Sequence, residues 1–272
     1  VVGGETARAE CEVLCGVPSL GRHGIEFLAF TGHETYCLPT ILRGAGYRSV
    51  LSFPHGPVFF NTRRAYPALG FDQLIFGAPY AQPGDESIDT HDQDYLFDGQ
   101  LFEQNLAQVQ KLVAEKKPFL NYVMTIYGHW PFDLDPALVP EQVKPSANDE
   151  DLMRIASQMR ARSQALATYV GGLIALDPTA LIVMVGDHLP PLPNGQADYA
   201  RYGYEGHPEL GRLPRESLAY DEFLLVIEGG KPVKLPRMRH FELSRWLLDR
   251  LSRGDYCREK RCDFGSPEAT RE

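Results

Sequence analysis

The chain has 272 residues, of which 43% are hydrophobic and 23% are charged, a balance that excludes the disordered and collagen-like classes. A net charge of −9 at pH 7, with no stripe of basic residues, argues against a nucleic-acid partner. No apolar run reaches the roughly 18 residues that span a bilayer, so the sequence predicts a soluble chain. We expect one large domain over residues 1–250, followed by a tail at 251–272.

Apolar segments flanked by turn residues alternate with helical patterns along the chain. Four segments rich in β-branched and aromatic residues are predicted to be strands: 47–53, 118–126, 179–187 and 221–230. An amphipathic stretch begins near Ala7, and four further segments are predicted to be helices: 38–46, 99–117, 149–176 and 240–252. This alternation predicts an α/β fold in which helices flank a mostly parallel central sheet. Functional groups in such sheets gather at the carboxyl ends of the strands.

The segment VMVGDHLPP ends an apolar run with Gly186, Asp187 and His188. If the run is a strand, a carboxylate and an imidazole stand side by side at its carboxyl end. Oxygen and nitrogen donors together suit a divalent ion such as Zn²⁺ or Mn²⁺. The alternative interpretation is a strand that ends in a polar turn, where Asp187 is only a capping residue.

Two glycines and a threonine precede the first amphipathic stretch, in the segment GGETARAECEVLCG. A hydroxyl at a helix N-terminus lies at the positive end of the helix dipole, where phosphate or sulfate oxygens also bind favourably. Thr6 is therefore a candidate nucleophile. An ordinary N-cap threonine is the alternative, and it is the commoner case when Thr6 is considered alone.

Five segments taken in order resemble one known family. They are GGETARAECEVLCG (3–16), CLPTILRGAGYRS (37–49), FFNTRRAYPALGFD (59–72), TIYGHWPF (125–132) and VGDHLPP (185–191). This order is similar to the sulfatase-type domain of the alkaline phosphatase superfamily in lipoteichoic acid synthases and bacterial phosphoethanolamine or phosphoglycerol transferases. The resemblance implies an alkaline-phosphatase-like α/β sandwich and one divalent metal ion, Mn²⁺ or Zn²⁺ with Mg²⁺ as a further candidate. It also implies a periplasmic or other extracytoplasmic location.

Position by position, Thr6 matches the family's threonine that becomes phosphorylated, and Asp187 and His188 match two metal ligands. These three side chains are therefore expected to converge. The family's remaining acidic ligand lies upstream of the nucleophile, at the end of a first strand. The sequence opens without a methionine, inside what we interpret as a strand-to-loop junction. We therefore expect an upstream part that supplies this ligand and anchors the full-length protein in a membrane.

Four other residues are predicted to face the substrate. His129 matches the histidine of the family's T-x-x-x-H-x-P-F loop, and His55 matches a substrate-side histidine more loosely. Thr62 stands where the family usually carries an arginine, so Arg63, one place later, is the candidate for a phosphate oxygen and Thr62 is interpreted as a turn residue. His207 follows the Asp-His pair, where relatives often place a histidine near the leaving group. The alternative for each histidine is an ordinary loop residue.

The resemblance implies transfer of a phosphoethanolamine- or phosphoglycerol-type group from a phospholipid donor to a cell-envelope glycan or lipid, through a phospho-threonine at Thr6. A phosphodiesterase or sulfatase-type hydrolase is the first alternative. The classical sulfatase motif C/S-x-P-x-R does not occur in the sequence, which ranks transfer above classical sulfatase activity. The second alternative is a non-catalytic domain that binds an anionic glycan.

The five cysteines do not have the spacing of a structural zinc site. Cys257 and Cys262 bracket a short polar loop, which leaves two possibilities, a local disulfide or two free thiols. Cys11 and Cys15 lie one helical turn apart and are predicted to pack as small apolar residues.

Overall fold

A computed structural model describes residues 6–18, 36–57, 59–77, 96–129, 132–140, 142–145, 149–190, 192–194, 196–201, 221–260 and 262. The helices in these ranges are α1 (Thr6–Cys15), α2 (Leu38–Gly44), α3 (Thr62–Ala68), α4 (Asp98–Ala114), α5 (Glu150–Leu176), α6 (Gln196–Arg201), α7 (Leu243–Leu251) and α8 (Asp255–Lys260). The strands are β1 (Arg48–Phe53), β2 (Gln73–Phe76), β3 (Phe119–Val123), β4 (Leu181–Val185), β5 (Leu224–Glu228) and β6 (Lys231–Pro232). Short 3₁₀ turns occupy Phe59–Asn61 and His240–Glu242.

The strands form two three-stranded sheets. The first has the order β2-β1-β3 and is parallel throughout, and the second has the order β4-β5-β6 and is antiparallel. The predicted α/β fold with a parallel sheet and flanking helices is confirmed, while the direction of β5 differs from that arrangement. Val50 and Leu51 on the central strand β1 are completely buried, as expected for a parallel strand covered on both faces.

The predicted elements all have counterparts in the structure. The four strands correspond to β1, β3, β4 and β5, and the helical segments correspond to α1, α2, α4, α5 and α7. The elements that were not predicted are short or carry a breaker: β2 has four residues, β6 has two, and α3 contains Pro67. Gly229 and Gly230, both at positive φ, form the two-residue turn of the β5-β6 hairpin, a signal that the sequence does contain.

A hydrophobic core lies between the first sheet and helices α1 and α3. Its buried members are Ala7, Leu14, Cys37, Leu51, Ala65, Tyr66, Leu69 and Phe71. Helix α5 covers the second sheet, where Val170 packs with Ile182 and Ile227. The same helix reaches the first sheet, because the Asn121 amide on β3 donates a hydrogen bond to the Tyr169 hydroxyl at 3.3 Å. Helix α5 therefore connects the two sheets.

Two disulfides are present. The bond between Cys257 and Cys262 confirms the disulfide alternative for that pair. The second bond joins Cys15, at the end of α1, to Cys37, immediately before α2. The prediction that Cys15 only packs as an apolar side chain was wrong, since its disulfide partner lies 22 residues away and no local spacing points to it. Cys11 is buried on α1, as predicted.

In the part of the chain that the structure describes, no helix combines the length and the apolar character that a membrane crossing requires.

Replacing Cys15 and Cys37 together by serine is expected to lower the free energy of unfolding by about 3 kcal/mol. The bond closes a loop of 22 residues, and the chain entropy it removes from the unfolded state grows with loop length. The matched change at Cys257 and Cys262, which closes a loop of five, should cost only about 2 kcal/mol. Urea unfolding of the three proteins measures both values. A loss that is larger for the short loop would contradict this ordering.

Candidate active site

Three polar side chains from two distant parts of the chain meet at the start of α1. The Thr6 hydroxyl donates a hydrogen bond to Asp187 Oδ2 at 2.8 Å and lies 3.3 Å from His188 Nε2. His188 Nε2 is also 3.3 Å from Asp187 Oδ2. The predicted convergence of these side chains is confirmed by the distances. Their catalytic and metal-binding roles remain predictions.

The positions of these residues follow from the elements on which they lie. Thr6 is the first residue of α1, and eight of the ten residues of that helix are buried. On the other side, the backbone N–H of Gly186 donates to the Phe223 carbonyl at 3.0 Å, which extends the pairing of β4 with its neighbour by one residue. Asp187 and His188 therefore leave the sheet directly beside the N-terminus of α1.

A hydrogen bond made by its second ring nitrogen fixes the orientation of the His188 imidazole. Nδ1 lies 2.8 Å from the backbone carbonyl of Leu189. Because a carbonyl oxygen only accepts hydrogen bonds, Nδ1 carries a hydrogen, and in the neutral ring Nε2 then presents a lone pair toward Thr6 and Asp187. Histidines that bind metals are commonly held in this way by a backbone carbonyl. The His188 side chain is 13% exposed, so this orientation is also constrained by packing.

The three donor atoms have a spacing close to that of metal ligands. The triangle of Thr6 Oγ1, Asp187 Oδ2 and His188 Nε2 has sides of 2.8, 3.3 and 3.3 Å. In a tetrahedral site with metal–ligand bonds of about 2.0 to 2.2 Å, the ligand atoms lie about 3.3 to 3.6 Å apart. Small shifts of the three side chains would therefore bring their donor atoms to three ligand positions on one face of such a tetrahedron. Among the described residues, no group of three or more His, Cys, Asp or Glu side chains could hold a metal.

Glu222 adds a second carboxylate next to this triangle. A Cβ atom built on Gly186 would lie 2.6 Å from Glu222 Oε2, which places the carboxylate against the backbone just before Asp187. Burial and then the negative charge of Asp187 raise the pKa of Glu222 to about 7. Sequence reasoning missed this residue, because the start of a strand normally lies at the opposite end of a parallel sheet. Since β5 is antiparallel to β4, its start lies at the end of β4.

His240 approaches the same region from the 3₁₀ turn before α7. Its Nδ1 lies 3.9 Å from Glu12 Oε2 on α1. Burial lowers the pKa of His240 to about 4, and the charge of Asp187 opposes that shift. His240 is therefore a neutral ring near neutral pH, and the sequence analysis gave it no role.

A buried carboxyl group lies one helical turn after Thr6. Glu10 is 4% exposed and accepts hydrogen bonds from the Tyr66 hydroxyl at 2.9 and 2.8 Å and from the Tyr122 hydroxyl at 3.0 Å. Burial raises the pKa of Glu10 to about 8, although the two tyrosine hydrogen bonds act to lower it. The contacts join α1 to α3 and β3 behind Thr6.

The predicted substrate histidines lie in different environments. His129 is exposed in the loop after β3, where its backbone N–H donates to the Ile126 carbonyl at 3.0 Å. His55 is only 3% exposed, and its ring stacks on Phe59 at a centroid distance of 4.0 Å. His207 lies outside the described residues. The substrate roles of all three remain predictions.

Arg63 and Thr62 lie at the start of α3. Thr62 is completely buried, and its hydroxyl donates to the backbone carbonyl of Phe59, a local bond in keeping with its interpretation as a turn residue. Asn61, just before it, has a left-handed backbone with φ of 58°. Arg63 is exposed. Its predicted contact with a phosphate oxygen is not tested by these positions.

Comparison with known proteins agrees with this fold. A family profile, Sulfatase, matches residues 1–215 of the chain. The chain therefore belongs to the sulfatase family, and the predicted class, a phosphotransferase or sulfatase-like enzyme, agrees with that membership.

Curated relatives match parts of the chain at moderate identity. The capsular polysaccharide biosynthesis protein RkpI of Rhizobium meliloti is 29% identical over 209 residues, which are 72% of this chain and 36% of that protein. The lipoteichoic acid synthase of Staphylococcus saprophyticus is 27% identical over 161 residues, which are 58% of this chain and 24% of that protein. The matched part is thus about a third or less of the length of these relatives.

Two solved structures share the fold. A protein of the alkaline phosphatase superfamily from Vibrio parahaemolyticus superposes with a TM-score of 0.67 and 16% identity, over 92% of this chain and 56% of that one. The phosphoglycerol transferase GacH of Streptococcus pyogenes, in complex with sn-glycerol-1-phosphate, has a TM-score of 0.62 and 16% identity, over 92% and 62% of the two chains.

Glu10→Gln is expected to remove a pH dependence of stability. The raised pKa means that the folded protein holds a proton on Glu10 that the unfolded chain, with a pKa near 4.5, releases. This contribution is complete below pH 4.5 and is lost as the pH rises to about 8. Wild-type stability relative to the glutamine variant should therefore fall between pH 5 and 8 by a few kcal/mol, since each pKa unit is worth about 1.4 kcal/mol.

Urea unfolding of both proteins at several pH values measures the difference. Using the difference removes the opposing effect of His240, whose lowered pKa makes stability rise between about pH 4 and 6.5 in both proteins. Parallel curves for the two proteins would show that Glu10 does not titrate in this range.

Proposed function

We propose that this domain transfers a phospho-alcohol group through a phospho-threonine formed at Thr6. The observation that carries the proposal is the contact of the Thr6 hydroxyl with both Asp187 and His188 at the N-terminus of a buried helix. The relatives support the type of group, since they include a lipoteichoic acid synthase and a phosphoglycerol transferase. The catalytic domain would extend over residues 1–250.

The first step is attack of the Thr6 oxygen on the phosphorus of a phosphodiester, with departure of the donor's alcohol. The hydroxyl hydrogen points at Asp187 Oδ2, which leaves a lone pair of the Thr6 oxygen for the attack. Backbone N–H groups at the N-terminus of a helix such as α1 can bind the non-bridging oxygens of the transferred group. In the second step an acceptor hydroxyl attacks the phospho-threonine and restores Thr6.

One divalent ion, Zn²⁺ or Mn²⁺ with Mg²⁺ as a further candidate, fits the donor set of Thr6, Asp187 and His188. When bound, such an ion offsets the charge of the transferring oxygens and lowers the pKa of a hydroxyl beside it. Glu222 supports the choice of a cation, because this second carboxyl group lies near Asp187 and a cation would favour the ionised form of both. The roles of His129, His55, Arg63 and His207 would be contacts to the substrate.

The proposed donor is a phospholipid and the proposed acceptor is a glycan or lipid of the cell envelope. An extracytoplasmic location is proposed with them, and the two disulfides support it, since such bonds persist in oxidising compartments. Hydrolysis is the second candidate, and the 46% exposure of the Asp187 side chain favours it, because water can reach the same atoms. The two reactions share the first step and differ in the product.

Thr6→Ala is expected to reduce phosphodiester turnover by at least about 10³-fold, because it removes the nucleophile itself. Turnover is measured with phosphatidylglycerol and phosphatidylethanolamine donors in the presence of Mn²⁺ or Zn²⁺, and mass spectrometry locates the phosphate on a trapped peptide. Thr168→Ala is the matched control, because Thr168 is an exposed threonine of α5. A Thr6→Ala protein with wild-type turnover, or phosphate on another residue, would contradict the proposal.

Metal binding provides a second measurement that does not depend on turnover. Chelator-treated protein titrated with Zn²⁺ or Mn²⁺ in a calorimeter should bind one ion, and His188→Ala or Asp187→Asn should weaken that binding by 10-fold or more. His129→Ala serves as the control, and its affinity should equal that of the wild type. Equal affinity in the His188 and Asp187 variants would exclude this metal site.

A further inference from the structure

A buried ion pair lies beneath the loop that carries His129. Arg162 on α5 directs its Nε to Asp98 Oδ2 at 2.8 Å. The Asp98 side chain is 1% exposed and that of Arg162 is 27% exposed, so the pair is largely withdrawn from water. Asp98 is the first residue of α4, so the pair links two helices. The sequence analysis assigned neither residue a role.

Both partners of this pair also bind the loop. Asp98 Oδ1 accepts hydrogen bonds from the backbone N–H groups of Tyr127 at 3.1 Å and Ile126 at 3.3 Å. Arg162 Nη2 donates to the Thr125 hydroxyl at 3.0 Å. Three consecutive residues of the loop after β3, 125–127, are thus held by one carboxylate and one guanidinium.

The next residue of the loop packs directly on the guanidinium. Gly128 has φ of +95°, and a Cβ atom added there would lie 3.0 Å from Arg162 Nη1 and 3.2 Å from its Cδ. A side chain at this position would separate the loop from Arg162. His129 follows, and its backbone N–H closes a turn onto the Ile126 carbonyl at 3.0 Å. Residues 125–128 are therefore held by contacts with Asp98 and Arg162, and His129, the next residue, is exposed.

Stability alone does not account for this arrangement. A buried ion pair is often no more stabilising than well-packed apolar residues, because both charges lose their hydration. Apolar residues would not bind the N–H groups of the loop or the Thr125 hydroxyl. What the pair adds is a set of directional contacts to residues 125–127, immediately before His129.

We propose that Asp98 and Arg162 are positioning residues that act through His129, by fixing the direction in which this histidine meets the transferred group. The inference rests on the proposed phosphotransfer, in which His129 contacts the substrate. Displacement of a substrate-contacting group by about 1 Å can reduce a rate by about 100-fold. Substitution of a residue that never touches the substrate can therefore cause a loss of this order if it displaces His129.

The test combines Arg162→Met with His129→Ala in a double-mutant cycle. Arg162→Met is expected to lower kcat/KM by about 10- to 100-fold in the wild-type background and by less than about 2-fold when His129 is already alanine. Arg154→Met is the matched control, because Arg154 lies on the same helix in an exposed ion pair with Glu150. This control should leave kcat/KM unchanged.

Thr125→Val removes one contact of Arg162 without leaving a buried charge, and it covers the case in which Arg162→Met does not fold. Its loss should be smaller, about 2- to 10-fold, and should also vanish in the His129→Ala background. Equal losses with and without His129 would overturn the proposal, because Arg162 would then act independently of that residue.

Hydrogen exchange separates this inference from the proposed function. The amides of Ile126 and Tyr127 should exchange at least about 10-fold faster in Arg162→Met or Thr125→Val than in the wild type and the Arg154→Met control. Full-length wild-type protein without turnover would reject the proposed phosphotransfer, and exchange would still decide whether the pair holds the loop. Unchanged exchange at both amides would overturn the positioning role, whatever the turnover.

Discussion

The hydrogen bond of 2.8 Å between the Thr6 hydroxyl and Asp187 Oδ2 requires the N-terminus of α1 and the segment that follows β4 to stay adjacent. Other contacts of α1 also hold the helix in this position. The Cys15–Cys37 disulfide fixes its last turn, and the tyrosine contacts of Glu10 fix its middle. Gly16, just after the helix, has φ of +68°, and a Cβ there would lie 2.6 Å from Ser244 Oγ, so α7 closes against the helix end. A site made from two distant segments therefore depends on a helix held along its whole length.

The electrostatic environment of the site follows from the same burial. Asp187, Glu222 and Glu10 all bring carboxyl groups toward one region, and the negative charge of Asp187 contributes to the raised pKa of both glutamates. A cluster of this kind is costly when all its members are ionised. Protonation of Glu10 reduces the repulsion, and a divalent cation at the Thr6 triangle would reduce it further. The chemistry proposed for the site and its charge balance therefore both favour a bound divalent cation.

The main elements and the central triangle were predictable from sequence, whereas the surrounding groups were not. An apolar run before Gly186 and a glycine-threonine start before α1 are local patterns, and motif order linked them. Glu222 was missed because its place depends on the antiparallel direction of β5, which no local pattern encodes. The environment of Glu10 was equally hidden, since its tyrosine partners come from α3 and β3, 56 and 112 residues away. The ring of His55 stacks on Phe59, a contact that no local pattern predicted, and its substrate role stays a prediction.

The bond between Cys15 and Cys37 has a practical consequence for the production of this protein. In a reducing cytosol both thiols stay unpaired, and the helix that begins with Thr6 then lacks its covalent link to the segment before α2. Material purified from such cells can contain chains with different thiol states and different helix order, and its specific activity would then vary between batches. Export to an oxidising compartment, or controlled oxidation after purification, gives a homogeneous preparation. Thiol titration of each batch is therefore as informative about its quality as a measurement of purity.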